Sequence, residues 1–202
     1  MNERHARLCS SARWAKHITE RFITPLSTRV DFGDAMLEVG PGPGAATAQL
    51  CQLVPHLTVL EVDEGAAARL ARRYRGANVA VVVGSGSAMP FKDRSFSSVA
   101  SFTMLHHVPT VAQQDRLLME AFRVLRPGGV LLGSDSLANQ GLHWFHEGDT
   151  YNPVEPATFL TRLTMAGFSR IAIEVGEDLT FMAYKKGRPR RRRPSAQAKA
   201  AP

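Results

Sequence analysis

Short apolar runs alternate with longer amphipathic segments along most of this chain. The runs have the length of buried strands and lie at 35–39, 57–62, 78–84, 97–105 and 128–136. The segments between them place apolar residues at helical spacing. Near-continuous apolar strands separated by helices build a parallel sheet with helices on both faces, so the pattern predicts a doubly wound α/β fold.

Local signals predict where several of the helices begin and end. Asp63 has the position of an N-cap for the helix after the second strand. Thr110 and Gln113 have the spacing of a capping box before the helix that follows the fourth strand. Pro156 can open a later helix, which Gly167 then ends.

The two ends of the domain are predicted from shorter patterns. An amphipathic segment at 14–26 predicts an N-terminal helix, and Pro25 is expected to bring it to a close. Two strands near 170–175 and 179–185 complete the domain.

The net charge of +7 is unevenly distributed over the 202 residues. From Gly187 onward the chain has five Arg, one Lys and no acidic residue, whereas the rest has 19 basic and 18 acidic residues. Clustered like charge with Pro and Ala predicts a disordered tail over 187–202. The tail is expected to be solvated, with an accessory contact to a polyanion as the alternative.

Membrane and secretory segments are not predicted. The longest local apolar run, at 79–83, is far shorter than the roughly 20 residues of a membrane span. The first residues lack the apolar centre of a signal peptide, so we expect a cytoplasmic protein. Cys9 and Cys51 have no metal-ligand spacing and no disulfide framework, and are expected to be free thiols.

The loop after the first strand, "LEVGPGPG" at 37–44, indicates a cofactor site. Gly40, Gly42 and Gly44 let a ligand approach the backbone, but Glu38 would repel the pyrophosphate of a dinucleotide. A carboxylate there can hold an ammonium group, and Glu61 at the tip of the second strand can accept from both ribose hydroxyls. A ligand with ribose at one end and an α-amino group at the other suggests S-adenosylmethionine.

Four segments in order resemble the class I S-adenosylmethionine-dependent methyltransferases of the type 11 group. They lie at 37–44, 59–63, 88–108 and 123–129, so the resemblance covers about 35–135. It implies a Rossmann-like seven-stranded sheet, mostly parallel with the last strand antiparallel. It also implies that a variable N-terminal helix and an insert after the fifth strand form the substrate pocket.

The resemblance implies the layout of one domain over 1–186. The N-terminal helix occupies about 10–26, the cofactor core about 35–135 and the substrate insert about 136–155, and the basic tail over 187–202 follows.

Two positions affect the predicted cofactor contacts. Ser85 stands where the family usually has an Asp that accepts from the adenine amino group, so one contact loses charge assistance. Ser97 stands where the family often has an acid, at a position we interpret as structural. The predicted cofactor-binding residues are Glu38, Gly40, Gly42, Gly44, Glu61, Ser85 and Thr103.

The candidates for a catalytic base are histidines near strand tips and in the insert. His106 and His107 follow the fourth strand, Asp135 ends the fifth, and His146 lies in the connector over 141–152. That connector also has His143 and Glu147, and its aromatic residues Trp144, Phe145 and Tyr151 suit a substrate lid. No metal site is predicted, because His-x-x-His-Glu in a loop is not a recognised ligand pattern.

The sequence therefore predicts an S-adenosylmethionine-dependent methyltransferase acting on a small-molecule acceptor. The segment "TMLHHVP" stands where a base-amine methyltransferase would have its Asn/Asp-Pro-Pro-aromatic loop, so a nucleic-acid substrate is disfavoured. The alternative is a weakly catalytic or non-catalytic protein that binds nucleic acid or a protein partner through its tail. The acceptor and the oligomeric state stay open.

Overall fold

A computed structural model describes residues 2–187, which form a seven-stranded sheet in the order β3-β2-β1-β4-β5-β7-β6. Strand β7 is antiparallel to both of its neighbours, and the other pairings are parallel. The predicted fold class is confirmed. The strands are β1 (Ala35–Val39), β2 (His56–Glu61), β3 (Val79–Val83), β4 (Phe96–Phe102), β5 (Leu125–Ser136), β6 (Ser169–Val175) and β7 (Asp178–Tyr184).

The helices largely follow the sequence signals. The Asp63 carboxylate accepts from the Ala66 N–H, and the Thr110 hydroxyl accepts from the Gln113 N–H. Two helices were not predicted, one before residue 10 and one inside the connector after β5. The helices are α1 (Glu3–Cys9), α2 (Ala12–Ile18), α3 (Thr24–Arg29), α4 (Thr47–Leu53), α5 (Glu64–Arg73), α6 (Val111–Val124), α7 (Gln140–Phe145) and α8 (Pro156–Met165).

The prediction that Pro25 ends the N-terminal helix was wrong. A π-helical turn over Thr19–Ile23 joins α2 to α3, and the helical segment continues to Arg29. The Thr24 N–H bonds to the Thr19 carbonyl, one residue farther back than in an α-helix. This wider turn places Pro25, which has no N–H, in the first turn of α3, where proline is tolerated.

Both faces of the sheet are covered by apolar packing. On one face Leu117 of α6 and Phe159 of α8 pack with β-strand residues such as Val99. On the other face Phe22 of the π turn and Leu50 of α4 belong to a second buried cluster. The N-terminal helical segment is thus part of the core, and its position on this face of the sheet is set by that burial.

Two further findings bear on the sequence predictions. Within residues 2–187, no helix is both long enough and apolar enough to span a membrane. Apart from Gly187, the predicted basic tail lies outside the described residues.

Gly133 tests how tightly the middle of the sheet is packed. A Cβ at this position of β5 would overlap the Ser101 carbonyl oxygen of β4 and lie 2.9 Å from Phe181 Cζ of β7. We expect Gly133→Ala to lower the free energy of unfolding by about 3 kcal/mol, measured by urea denaturation. The control is Gly176→Ala, where an added Cβ would have no described atom within 4 Å. Equal denaturation midpoints for the two variants would contradict this account of the core.

Candidate active site

The three glycines after β1 have different surroundings although all have positive φ. A Cβ at Gly40 (φ +66°) would overlap Met104 Cγ, and a Cβ at Gly44 (φ +87°) would lie 2.8 Å from Leu70 Cδ2. A Cβ at Gly42 (φ +52°) would meet no described atom within 4 Å. Gly40 and Gly44 therefore allow close packing of the loop, and Gly42 faces open space.

Glu61 joins the glycine loop to the turn after β2. Its Oε2 accepts from the Gly42 N–H at 3.1 Å, and its Oε1 accepts from the Asp63 N–H at 3.0 Å. A carboxylate offers about four acceptor positions. Glu61 thus holds two loops in place and keeps acceptor capacity on both oxygens for a ligand.

Glu38 is a buried carboxylate near the end of β1. Its side chain is only 2% exposed, and Thr47 Oγ1 donates to its Oε2 at 2.7 Å. Burial raises the pKa of Glu38 to about 7, and nearby Glu61 adds to this increase, whereas the Thr47 hydrogen bond opposes it. A cationic group placed beside this carboxylate would favour its ionised form.

An open cleft of about 720 Å³, here called the outer cleft, lies beyond the tips of β1, β2 and β3. Its lining includes Gly42, Glu61, Asp63 and Ser85. The Ser85 hydroxyl accepts from the Ser87 N–H at 3.2 Å and lies 3.0 Å from the Ser87 hydroxyl. In an open α/β sheet, ligands bind at this edge, where the strand order reverses.

A smaller space of about 70 Å³, here called the inner pocket, lies between the glycine loop and the N-terminal helices. Glu38, Thr103 and His107 line it together with Trp14 and Ile18 of α2. Thr103 has a positive φ of 49°, and its N–H donates to the Ser134 carbonyl at 2.8 Å. Gly40 and Gly42 border both spaces, whereas Gly44 borders neither.

The adjacent histidines after β4 have different positions. His107 is half-buried and lines both the outer cleft and the inner pocket. His106 is buried, lines neither space, and its Nδ1 lies 2.5 Å from Oδ1 of the fully buried Asp135. Only one of the two predicted candidates after β4 therefore reaches the ligand space directly.

The connector after β5 only partly matches the predicted lid. His146 is buried and stacks on Tyr151 with ring centroids 4.5 Å apart. The expectation that the aromatic residues of the connector form walls of the pocket was wrong, because the outer cleft and the inner pocket are bordered by none of Trp144, Phe145 and Tyr151. Trp144 is 61% exposed and lies against Arg4. His143 and Glu147 are also exposed and border neither space.

His5 is a site residue that the sequence analysis did not identify. It is buried, lines the inner pocket and packs against His107 with ring centroids 4.7 Å apart. The sequence signal that could have predicted helix α1, and with it His5, was the N-cap residue Asn2. The Asn2 side chain accepts from the His5 N–H. Asp149, in the connector predicted to be a lid, lines the outer cleft.

Comparison with known proteins gives related sequences for the central part of the chain. The methyltransferase-domain family matches residues 37–133. A ubiquinone/menaquinone biosynthesis C-methyltransferase of Bradyrhizobium diazoefficiens is 33% identical over 48% of this chain and 40% of its own length. A fatty-acid O-methyltransferase of Mycolicibacterium smegmatis is 32% identical over 52% of this chain and 38% of its own. The matches thus span well under two thirds of these relatives.

Solved structures share the fold over most of the chain. A SAM-dependent methyltransferase of Methanosarcina mazei aligns with a TM-score of 0.68 at 18% identity, covering 81% of this chain and 98% of its own. Both the family match over residues 37–133 and the sheet order agree with the resemblance found in the sequence. Residues 37–133 of this chain therefore match the methyltransferase-domain family, and the domain around them has the fold of a solved SAM-dependent methyltransferase.

Proposed function

We propose that this protein transfers the methyl group of S-adenosylmethionine to a small-molecule acceptor. The observation that carries the proposal is the pair of carboxylates at the glycine loop, where Glu61 accepts from the Gly42 N–H beside a cleft of about 720 Å³. Glu38 lies beside the inner pocket and Glu61 lines the outer cleft. This arrangement suits a ligand with a cationic amino group at one end and a ribose in its middle.

The residues present fit that cofactor. Glu61 would accept from the ribose hydroxyls, since both of its oxygens retain acceptor capacity. Glu38 would hold the α-ammonium group, and the open side of Gly42 would admit the ligand close to the backbone. Leu60 and Ala66 give the outer cleft an apolar wall near Ser85, which suits adenine. When bound, the cofactor supplies a methyl group on a sulfonium, which is already activated for transfer.

The acceptor would be held between the glycine loop and the N-terminal helices. Trp14, Ile18 and Phe102 give the inner pocket an apolar lining that would exclude water from the transfer. Aligning the acceptor with the methyl group is the main contribution that the protein makes to such a reaction. Two relatives are named for methyl transfer in quinone biosynthesis and to fatty acids, which supports a small acceptor with an apolar part.

Of the three candidate histidines, His107 is the one we propose to contact the acceptor. Its Nδ1 donates to the Thr150 carbonyl at 3.3 Å, which leaves Nε2 as a hydrogen-bond acceptor. Burial and the neighbouring His106 and His5 lower the pKa of His107 to about 3. Such a weak base orients an acceptor O–H or N–H better than it removes a proton. His106 and His146 would then position His107, since both rings pack against it.

Cofactor binding can be tested at Gly42 with a closely matched control. We expect Gly42→Val to abolish S-adenosylmethionine binding in calorimetry, because the new side chain would fill the space that the ligand needs. Gly76→Val is the control, since Gly76 also has a positive φ (+80°) and no described atom within 4 Å of an added Cβ, but does not line the outer cleft. Equal affinities for the two variants, or no binding by the folded wild type, would overturn the proposal.

A second prediction concerns the stability cost of Glu38. The pKa of Glu38 is about 7 in the folded protein and 4.5 ordinarily. Between these pH values the unfolded chain binds fewer protons than the folded chain. Wild-type stability therefore falls as the pH rises. We expect Glu38→Gln to be more stable than wild type above pH 7 by about 3 kcal/mol in the absence of ligand, and to lose this advantage below about pH 4.5. Cofactor binding should be lost in the same variant.

Urea denaturation between pH 4 and pH 8 measures the effect of Glu38→Gln. The control is Glu64→Gln, at an exposed position in the first turn of α5, which should leave the pH profile unchanged. A constant stability difference between wild type and Glu38→Gln over the whole range would contradict the assignment.

The basic tail gives a third prediction. If it is a solvated appendage to the domain, deleting residues 188–202 should leave cofactor affinity and thermal stability unchanged. If the full chain methylates or binds a nucleic acid and the deletion abolishes that activity, the small-molecule proposal fails. The polyanion-binding alternative then takes its place.

A further inference from the structure

Three histidines from distant parts of the chain meet beside the ligand space. His5 comes from α1, His107 from the turn after β4, and His146 from the residue that follows α7. One ring nitrogen of each histidine lies within 4.8 Å of the corresponding nitrogens of the other two. His5 was not among the site residues predicted from the sequence, and no metal site was predicted there.

The hydrogen bonds of two of these rings leave the Nε2 atom available. His146 Nδ1 donates to the Leu142 carbonyl at 2.7 Å, and His107 Nδ1 donates to the Thr150 carbonyl at 3.3 Å. Each Nε2 then has a lone pair, and His146 Nε2 is buried with no hydrogen-bond partner among the described residues. Histidines that bind metals donate their other N–H in the same way, most often to a carbonyl or a carboxylate.

The third ring has a carboxylate beside it. His5 Nδ1 is buried and lies 3.4 Å from Asp149 Oδ2, outside hydrogen-bonding geometry. Asp149 lines the outer cleft, so this side of the cluster is open to the ligand space. A carboxylate next to three imidazoles also provides negative charge that would partly balance a bound dication.

We propose that His5, His107 and His146 form a binding site for a divalent transition metal ion of the Zn²⁺ class. Imidazole nitrogens suit this class of ion, and Mg²⁺ or Ca²⁺ would prefer oxygen ligands. Tetrahedral Zn²⁺ with Zn–N bonds of 2.0–2.1 Å needs nitrogens about 3.4 Å apart. The present separation of up to 4.8 Å is larger, so the three rings would move closer together when they bind the ion.

The position of the site beside the cofactor space gives it a chemical use. Three protein ligands leave a fourth position for water or for an oxygen of a ligand, as in catalytic zinc sites. His107 borders both the outer cleft and the inner pocket, so an ion bound there would face the acceptor. An acceptor hydroxyl bound to such an ion would lose its proton more readily, and the ion would then take the place of the direct contact between His107 Nε2 and the acceptor. This use depends on the proposed methyl transfer, whereas metal binding itself does not.

The test is a titration of the full chain, purified without a polyhistidine tag and treated with a chelator, with Zn²⁺ alone. We expect one Zn²⁺ per chain in calorimetry, a higher Tm with the metal, and visible ligand-field absorption on substitution with Co²⁺. His107→Ala and His146→Ala should each weaken Zn²⁺ binding about 100-fold. The controls are His56→Ala, at the exposed start of β2, and His143→Ala, at an exposed position of the same connector.

The outcomes separate this inference from the proposed function. No stoichiometric Zn²⁺ binding by wild type overturns the site, as does wild-type affinity in both His107→Ala and His146→Ala. If one of these variants does not fold, the other variant and the wild-type Co²⁺ spectrum still decide. Zn²⁺ binding without S-adenosylmethionine binding would support the metal site while rejecting the proposed function. The reverse result would leave the proposed function intact and reject the metal site.

Discussion

The Glu61 carboxylate is the interaction on which the geometry of the cleft depends. It accepts from the Gly42 N–H with one oxygen and from the Asp63 N–H with the other. The Gly40 N–H also bonds to the Leu60 carbonyl, so the pairing of β1 with β2 continues beyond the end of β1. Because these bonds fix both loops, the open side of Gly42 faces the outer cleft.

Two buried polar groups lie near the same edge of the sheet, and burying a polar group without a hydrogen-bond partner lowers the stability of the fold. Glu38 is buried with one hydrogen bond from Thr47, and His146 Nε2 is buried with no described partner. Buried polar groups are normally satisfied, and exceptions concentrate where a protein binds something. Glu38 lines the inner pocket, and His146 packs against His5 and His107, which also line it. Ligands proposed for this site would give both buried groups a partner.

The N-terminal segment connects this edge to the core of the domain. Phe22 and Ile23 of the π turn are buried in the sheet cluster, whereas Trp14 and Ile18 of α2 line the inner pocket. Helix α1 then brings His5 against His107. The packing that anchors the helical segment thereby also sets the positions of the residues that cover the site. π turns are frequent at functional sites, and this one lets the segment pass Pro25 without ending.

The sequence by itself determined the strands, the helix caps at Asp63 and Thr110, and the placing of Glu38 and Glu61 at two neighbouring strand tips. These features follow from local periodicity and from the parallel order of strands, so they can be predicted without knowing any long-range contact. The assignment of cofactor roles to Glu38 and Glu61 stays a prediction, although their positions suit it.

Only the tertiary structure decided which of several similar residues face the ligand space. It separated His107 from His106, left Gly42 open while Gly40 and Gly44 pack against neighbours, and exposed Trp144. It also brought His5 to His146 across the whole domain. Such outcomes depend on contacts between residues far apart in the chain, and neither the spacing of residues nor their local propensity contains that information.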